Sequence, residues 1–263
     1  MKKNSWKARI SLVLAGLFLA MTACAKEQEE SGTETVSETD QENQETTLSP
    51  IGLVDVVTVE DPENPAGRIQ NQCAGAMVRI QAGNLIGSGV IFDAEAEWLR
   101  IATAAHVLAN GDGTAKITFD DGYEVTCDKI KQSEKQDLAI LEIPRDALLE
   151  ENGADGAVDH GEKIRRAKFS QEAYDDAANG DLVIALGSRT GVGEDAYAGC
   201  ILQDYAYFVD FDAYMMLADV MVTPGMSGGG LFDAEGNLLG ILCGISEDGE
   251  VAVAPMLGLL AIN

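Results

Sequence analysis

The chain has 263 residues, of which 46% are hydrophobic and 24% are charged. This length allows one large domain or two small ones, and this composition excludes both a wholly disordered chain and a polytopic membrane protein. Acidic residues outnumber basic residues by 44 to 18, which gives a formal net charge of −26. We therefore expect no nucleic-acid partner, because binding to phosphates depends on Lys and Arg.

The histidines and cysteines are few. His106 and His160 are the two histidines, and none of the five cysteines belongs to a Cys-x-x-Cys pair. These numbers exclude a multi-histidine metal cluster and make a structural zinc site an unexpected feature. Four cysteines lie beyond the N-terminal region, and the sequence leaves open whether they form disulfides, in one of three possible pairings, or stay as buried free thiols. These are Cys73, Cys127, Cys200 and Cys243.

The N-terminus has the pattern of an export signal. Four basic residues occupy the first nine positions, and the uncharged run 10–23 is too short to span a bilayer as a helix. Residues 19–24 resemble the bacterial lipobox, in which the cysteine is lipidated after cleavage, although Met21 stands where that pattern prefers Leu. We expect a lipoprotein signal peptide over 1–23 and lipidation of Cys24, with attachment to a bacterial membrane on the cell surface or the periplasmic side. An ordinary signal peptide cleaved after a small residue is the alternative.

The next segment has the composition of a tether. Residues 25–50 hold eight acidic residues, one lysine and no aromatic residue. Such a segment cannot bury enough apolar surface to offset its chain entropy, and its charges repel one another. We predict a disordered tether over 24–65 and a folded domain over 66–263.

From residue 66 the sequence predicts many short strands. Residues 120–122 form an Asp-Asp-Gly hairpin turn between two short alternating runs. Strands at this density, with Gly and Asp turns and few helical patterns, predict an all-β sandwich or barrel. The stretch 142–172 has weaker periodicity and predicts the connection between two β halves. The predicted strands cover 76–80, 89–92, 99–102, 117–119, 123–125, 137–143, 182–186, 200–203, 207–211, 215–218, 238–243 and 251–254.

Three positions have side chains suited to nucleophilic catalysis. His106 follows a predicted strand, Asp137 opens another, and Ser227 lies among glycines before a third. A serine hydroxyl becomes a nucleophile when a neutral imidazole takes its proton, and a carboxylate then fixes the tautomer of that imidazole. The backbone N–H groups of Gly225 and Ser227 are candidates for an oxyanion hole. His160 is the rival base, but its polar surroundings indicate an exposed loop.

The segments around these residues resemble a known family. They are Gly-Ser-Gly-Val-Ile at 87–91, Thr-Ala-Ala-His-Val-Leu at 103–108, Asp-Leu-Ala-Ile-Leu at 137–141 and Asp-Val-Met-Val-Thr-Pro-Gly-Met-Ser-Gly-Gly at 219–229. In this order they are similar to the signatures of trypsin-like serine proteases, and in particular to the bacterial HtrA (Deg) family. The resemblance spans about residues 75–257.

The resemblance implies a chymotrypsin-like fold of two six-stranded antiparallel β-barrels, the first over about 66–150 and the second over about 160–263. It implies an endopeptidase in which Ser227 is the nucleophile, His106 the general base and then acid, and Asp137 the orienting carboxylate. The substrate would be a polypeptide, cleaved through an acyl-enzyme without a metal or another cofactor. A PDZ domain is not expected, because the chain ends at Asn263.

Two residues near the serine depart from the family pattern. Met226 replaces an asparagine and Gly230 replaces a proline. Both changes put the formation of the oxyanion hole in question.

The substrate-binding residues follow from the same resemblance. Met221, six positions before Ser227, would lie at the base of the S1 pocket and favour an aliphatic or small substrate side chain. Cys243, Gly244 and Ile245 would form the wall along which the substrate backbone pairs as an added strand.

Two other functions compete with the endopeptidase. A catalytically silent binding module that keeps the protease fold would explain the two departures. An esterase of the α/β-hydrolase type is contradicted by the order His, Asp, Ser along this chain. The sequence leaves the oligomeric state open.

Overall fold

The computed structural model describes residues 51–53, 64–151, 157–189 and 195–262. The predicted signal peptide, Cys24 and most of the predicted tether lie outside these residues, so they stay predictions. Across the described ranges, no helix has both the length and the apolar character needed to cross a bilayer.

The described chain is built mainly from strands. In chain order these are β1 (Gly52–Leu53), β2 (Met77–Ala82), β3 (Leu85–Ala94), β4 (Trp98–Ala104), β5 (Ala115–Thr118), β6 (Glu124–Cys127), β7 (Ile130–Ser133), β8 (Leu138–Pro144), β9 (Leu149–Glu151), β10 (Ala157–Asp159), β11 (Arg165–Arg166), β12 (Lys168–Phe169), β13 (Leu182–Gly187), β14 (Asp195–Phe208), β15 (Ala213–Asp219), β16 (Gly230–Asp233), β17 (Asn237–Ile245) and β18 (Val251–Pro255). The two α-helices are α1 (Pro65–Cys73) and α2 (Gln171–Asp176).

The first half forms one antiparallel sheet of seven strands, in the order β6-β5-β2-β3-β4-β8-β7. The predicted hairpin turn joins β5 to β6, where Gly122 has a φ of +84° that an L side chain rarely adopts. Between the described strands, the two edges of this sheet do not pair with each other. The first barrel is therefore a half-barrel of seven strands, whereas the sequence predicted a closed barrel of six.

The second half forms a closed barrel of six strands. Pairing runs β13–β14–β15–β18–β17–β16 and returns from β16 to β13, while β12 adds a short parallel pairing to β17. The two halves together confirm the predicted all-β, chymotrypsin-like double barrel.

One strand of the second barrel differs from its prediction. The runs 200–203 and 207–211 were predicted as two strands, but β14 is continuous as far as Phe208. Its register against β15 shifts twice, between Ile201 and Gln203 and between Gln203 and Ala206. Such irregularities interrupt the period-two alternation along a continuous strand, so the pattern indicated a break where the backbone has none.

The N-terminal part of the described chain packs against the folded domain. Asn64 caps α1 by accepting a hydrogen bond from the Gly67 N–H at 2.9 Å, and a proline opens the helix. The helix buries Ile69 and Cys73, and Gln72 donates to the Glu235 carbonyl in the turn between β16 and β17. This helix was not predicted, because its nine residues are fewer than the roughly 11–18 over which a helical pattern is evaluated.

The predicted tether also includes paired residues. Strand β1, at 52–53, pairs in parallel with β11. The prediction of disorder as far as residue 65 therefore differs from the structure at these positions, because the strand partner is more than 100 residues away along the chain.

The cysteine alternatives are resolved in favour of thiols. None of Cys73, Cys127, Cys200 and Cys243 forms a disulfide with another described residue, and all but Cys200 are buried. They pack as small apolar side chains in strands or at a helix end.

Candidate active site

His106 lies just beyond the end of β4 in the first sheet. It belongs to a single 3₁₀ turn, Ala105–Leu108, that begins directly after β4. The Ala105 N–H donates to the Asp137 carbonyl at 3.0 Å, so the turn is fixed to the chain that enters β8. The side chain of His106 is 28% exposed, which leaves part of the ring accessible.

Asp137 binds His106 twice. Its Oδ2 lies 2.7 Å from His106 Nδ1, and its Oδ1 accepts the backbone N–H of His106 at 2.8 Å. An ionised carboxylate only accepts hydrogen bonds, so Nδ1 is the protonated nitrogen and Nε2 is available as a base. The pair predicted from two segments 31 residues apart is therefore assembled in the structure.

Asp137 is held in an uncommon backbone conformation. It is 5% exposed and has a φ of +50°, in the left-handed region that most L residues avoid. Aspartate tolerates this region better than most residues do. Such strain persists only where the surrounding contacts impose it, and it is concentrated at functional sites.

Cys243 lies behind the carboxylate. Its thiol is within 3.5 Å of the Asp137 carbonyl oxygen and within 3.4 Å of the Ile241 carbonyl oxygen. Burial, together with the negative charge of Asp137, raises the pKa of the Cys243 thiol well above its usual range. The thiol therefore remains neutral and adds no second negative charge beside Asp137.

The serine loop, residues 223–229 around Ser227, is attached to the first sheet through Ser88 of β3. The Ser88 N–H donates to the Ser227 carbonyl at 2.8 Å, and the Ser88 hydroxyl donates to the Gly225 carbonyl at 2.7 Å. Ser88 is fully buried, and its own carbonyl accepts the Thr103 hydroxyl at 2.7 Å. One residue of the first half therefore fixes two carbonyls of the serine loop.

Gly228 brings the loop close to His106. A Cβ on Gly228 would lie 2.2 Å from Thr103 Oγ1 and 3.0 Å from the backbone nitrogen of Ala104, and its φ is +82°. A side chain is excluded there by both the space and the backbone conformation. The residue after Ser227 thus packs against the end of β4, two residues before His106.

The Ser227 hydroxyl and His106 Nε2 have no hydrogen-bond partner within the described ranges. In proteases without substrate such contacts are often long and tighten when the substrate binds.

The backbone N–H groups of the loop divide into two sets. Those of Met226, Gly228 and Gly229 donate to the carbonyls of Thr223, Leu242 and Met226, at 2.8–3.0 Å. Those of Gly225 and Ser227 have no acceptor in the part of the chain that the structure describes. The two N–H groups predicted for the oxyanion hole are therefore the two that remain available.

The two departures from the family pattern are both packed. Met226 is 1% exposed, and Gly187 leaves room for it, since a Cβ there would meet its side chain at 2.8 Å. A Cβ on Gly230, the first residue of β16, would lie 2.5 Å from the ring of Phe232. Both residues are thus accommodated by the packing around the loop that carries Ser227.

The predicted substrate-binding residues fall into two groups. Cys243, Gly244 and Ile245 end strand β17, which pairs with β18 on one side. On the side of β16 the pairing ends at Ile241, so this part of the edge has no partner strand in the described chain. Met221 is 58% exposed, so the structure does not bring it to the base of an enclosed pocket.

His160 occupies a different part of the molecule. Its Nδ1 lies 2.6 Å from Asp121 Oδ2, its Nε2 lies 3.2 Å from Glu150 Oε2, and its ring stacks on Tyr123 with centroids 3.8 Å apart. The side chain is 16% exposed. The prediction that His160 lies in an exposed loop is wrong, because partners from other segments enclose its ring.

Comparison with known families identifies the fold. A profile described as "Trypsin-like peptidase domain" matches residues 87–241, more than half of the chain, and this range includes His106, Asp137 and Ser227. The chain belongs to the trypsin-like peptidase domain family.

Individual proteins of this type are similar to the chain. "Serine protease Do-like HtrA" from Bacillus subtilis (strain 168) is 31% identical over 174 residues, which cover 62% of this chain and 34% of that protein. "Periplasmic pH-dependent serine endoprotease DegQ" from Escherichia coli (strain K12) is 27% identical over 177 residues, which cover 64% of this chain and 33% of that protein. The chain thus spans about a third of the length of these relatives.

Solved structures give the same result for this trypsin-like domain. "HtrA-type protease AlgW with tripeptide" has a TM-score of 0.56 at 25% identity, over 76% of this chain and 61% of that one. "HtrA-type protease AlgW with decapeptide" has a TM-score of 0.57 at 21% identity, over 74% of this chain and 65% of that one, and this second likeness shows the fold alone.

The sequence did not identify Ser88 as part of the trypsin-like site. Its signal was its place in the Gly-Ser-Gly segment, but its partners on the serine loop are more than 130 residues away. Such a contact is visible only in the tertiary structure.

Proposed function

We propose that the chain is a serine endopeptidase in which Ser227 is the nucleophile, His106 the general base and Asp137 the orienting carboxylate. The observation that carries this proposal is the double hydrogen bond between His106 and Asp137 beside the loop that carries Ser227. The names of the similar proteins, which are serine proteases and endoproteases, support it.

The geometry suits acyl transfer in two steps. Ser227 Oγ attacks the carbonyl carbon of the scissile bond, and its proton passes to His106 Nε2. The imidazolium that forms is stabilised by Asp137 at Nδ1, and it gives the proton to the leaving amine as the C–N bond breaks. Water then attacks the acyl-enzyme with His106 again as the base, which releases the carboxylic acid and restores the Ser227 hydroxyl.

The oxyanion would be bound by the N–H groups of Gly225 and Ser227. Both lack an acceptor in the described structure, while their neighbours along the loop are engaged. Donors held in place before the reaction need no reorganisation when charge develops on the substrate oxygen. Removing one such donor in a protease costs about 3–4 kcal/mol of transition-state stabilisation.

The substrate proposed is an unfolded or exposed polypeptide segment. An extended segment would pair with the edge formed by Cys243, Gly244 and Ile245, on the side of β17 that pairing with β16 leaves open among the described residues. The similar solved structures hold a tripeptide and a decapeptide, which supports a polypeptide substrate.

We further propose that the enzyme acts outside the cytoplasm and is anchored through lipidated Cys24. The basic, apolar and lipobox-like segments of residues 1–24 support this location. So does the word "periplasmic" in the names of several relatives. An acidic segment after Cys24 would keep the folded domain away from an anionic membrane surface.

A silent binding module with the same fold is the second candidate. The observation that favours it is the lack of a hydrogen bond between the Ser227 hydroxyl and His106 Nε2 among the described residues. In that case the open edge of β17 would hold a peptide without cleaving it.

A fluorophosphonate probe separates the two functions. The probe phosphorylates an activated serine, so we expect labelling of the wild type and none of the Ser227→Ala variant. Ser246→Ala is a matched control that removes a hydroxyl from the end of the second barrel, and it should label like the wild type. A wild type that resists labelling at every pH from about 6 to 9 would favour the silent module.

A further inference from the structure

In the serine loop, one peptide unit has no hydrogen bond to any of the described residues. The units 225–226 and 227–228 are each held at both ends, because Ser88 binds their carbonyls and their N–H groups donate to Thr223 and Leu242. The unit 226–227 is held at its carbonyl, which accepts from Gly229. The unit 224–225, which carries the available Gly225 N–H, has no partner at either end among the described residues.

Because residue 225 is a glycine, the peptide unit 224–225 can change its orientation. Gly225 has a φ of +97°, and a residue without a Cβ can adopt several backbone conformations at little cost. Rotation of the unit 224–225 would turn the Gly225 N–H away from the position of the oxyanion. The orientation of this donor must therefore be limited from outside the loop.

The side chain of Arg189 contacts Gly225 on the side where a Cβ would lie. A Cβ built on Gly225 would lie 2.5 Å from Arg189 Cγ and 3.0 Å from Arg189 Cδ, so the methylene stem covers the glycine. The guanidinium is held by Asp195, whose Oδ2 lies 2.9 Å from Arg189 Nε. The stem cannot swing away from Gly225 without breaking this ion pair.

The sequence around this arginine is otherwise acidic. Arg189 is the only basic residue between positions 171 and 263, a stretch that contains 15 acidic residues. Its ion pair is partly exposed, with Arg189 47% and Asp195 28% accessible, so the pair adds little to overall stability. Stabilisation of the fold by this ion pair therefore does not explain why Arg189 contacts the serine loop.

We propose that Arg189 is a positioning residue for catalysis: its stem, fixed by Asp195, holds the Gly225 peptide with its N–H directed to the oxyanion. The proposal rests on the proposed function. It assigns to this chain a contact that acts through Gly225 and touches neither the substrate nor the reacting atoms.

The test compares two ligands that differ in their need for the oxyanion hole. A peptide aldehyde adds to Ser227 Oγ and places an oxyanion in the hole, whereas the corresponding peptide alcohol has no carbonyl group to react and carries no anionic oxygen. We expect Arg189→Ala to lower kcat and aldehyde affinity together by about 10-fold to 100-fold, with the alcohol affinity and KM little changed. This range lies below the 10²–10³-fold effect of deleting a donor outright.

Three further variants sharpen the result. Arg189→Lys keeps a stem and a charge that can reach Asp195, so it should restore most of the aldehyde affinity. Asp195→Asn keeps the stem but weakens its anchor, so its loss should be intermediate. Lys116→Ala removes a cation from a similarly exposed pair with Glu124 in the first sheet, and it should change neither ligand.

The outcomes distinguish this proposal from the function on which it rests. A wild type that does not react with the fluorophosphonate probe overturns the proposed function, and the role of Arg189 with it. A reactive wild type whose Arg189→Ala variant keeps the ratio of aldehyde to alcohol affinity overturns the role of Arg189 alone. If Arg189→Ala does not fold, the ratio in Asp195→Asn decides, and an unchanged ratio there also overturns the proposal.

Discussion

Both histidines of the chain contact an aspartate through Nδ1, but their Nε2 atoms differ in what they contact. His106 and His160 each place Nδ1 within 2.7 Å of an aspartate oxygen, from Asp137 and Asp121 respectively. The Nε2 of His160 is then paired with Glu150, and its ring is covered by Tyr123. The Nε2 of His106 has no such partner in the described chain, and the Ser227 loop packs beside it.

The comparison shows that an Asp–His pair alone does not identify a base. A histidine with both nitrogens bound and one face stacked has no position from which to take a proton from a substrate. A histidine with Nδ1 bound and Nε2 available is oriented for that task. The difference comes from the surrounding segments, since each histidine sits in a short 3₁₀ turn.

The largest expected effect distinguishes the two imidazoles by activity. His106→Ala should lower kcat by about 10⁴-fold to 10⁶-fold, because removing the base of a triad costs nearly as much as removing the whole triad. His160→Ala should leave kcat/KM within about threefold of the wild type, since its ring lies outside the site. Steady-state cleavage of a peptide substrate selected from a library measures kcat and kcat/KM for both variants. Equal losses in the two variants would contradict the assignment.

The two aspartates provide the next test. Asp137→Asn should lower kcat by about 10⁴-fold, because an amide permits the wrong tautomer of His106. Asp121→Asn makes the same chemical change beside His160 and should leave kcat nearly unaltered. A fully active Asp137→Asn variant would show that the observed pairing with His106 has no part in the reaction.

The pH profile sharpens the same contrast. Histidine ordinarily changes its charge between about pH 5 and 8, and the base of the mechanism must be neutral. We therefore expect kcat/KM to rise across this range in the wild type and equally in Asp121→Asn. A profile that is flat between these limits would argue against an imidazole base.

A smaller effect concerns stability. Here His160→Ala should cost more than His106→Ala, which is the opposite of their order in activity. His160→Ala removes a stacked ring and a charge-assisted hydrogen bond, and we expect it to lower the free energy of unfolding by about 1–3 kcal/mol. The contact with exposed Glu150 adds little to this value. His106→Ala should cost less, because its ring is not stacked, and urea unfolding of both variants measures the difference.

The smallest expected effect lies at acid pH. Burial opposes ionisation of Asp121, but the hydrogen bond from His160 and the backbone N–H of Tyr123 outweigh it and lower the pKa of this carboxyl. A lowered pKa in the folded state contributes stability that is complete above the unfolded value of about 3.9 and is lost as the pH falls through the folded value. Unfolding below about pH 4 should therefore show a smaller pH dependence in Asp121→Asn.

Much of the fold was predictable because it rests on local pattern. Short apolar runs predicted strands close to β4, β13 and β17, period-two alternation predicted β8, and the Asp-Asp-Gly turn predicted the β5–β6 hairpin. The family was predictable because its motifs are short and occur in a fixed order. The open first barrel was not, since closure depends on whether two distant edges meet, and no residue of either edge encodes that alone.

By itself the sequence determined which residue types are present at the site, namely one imidazole, one carboxylate, one hydroxyl and the glycines around it. The tertiary structure decided which of their atoms are engaged and which remain available. It brought Ser88 and Arg189 into contact with the serine loop. It left the Gly225 and Ser227 N–H groups without an acceptor among the described residues, and it enclosed His160 between partners from other segments. The physical reason is that hydrogen bonding and burial depend on neighbours in space, and at this site those neighbours come from positions far apart along the chain.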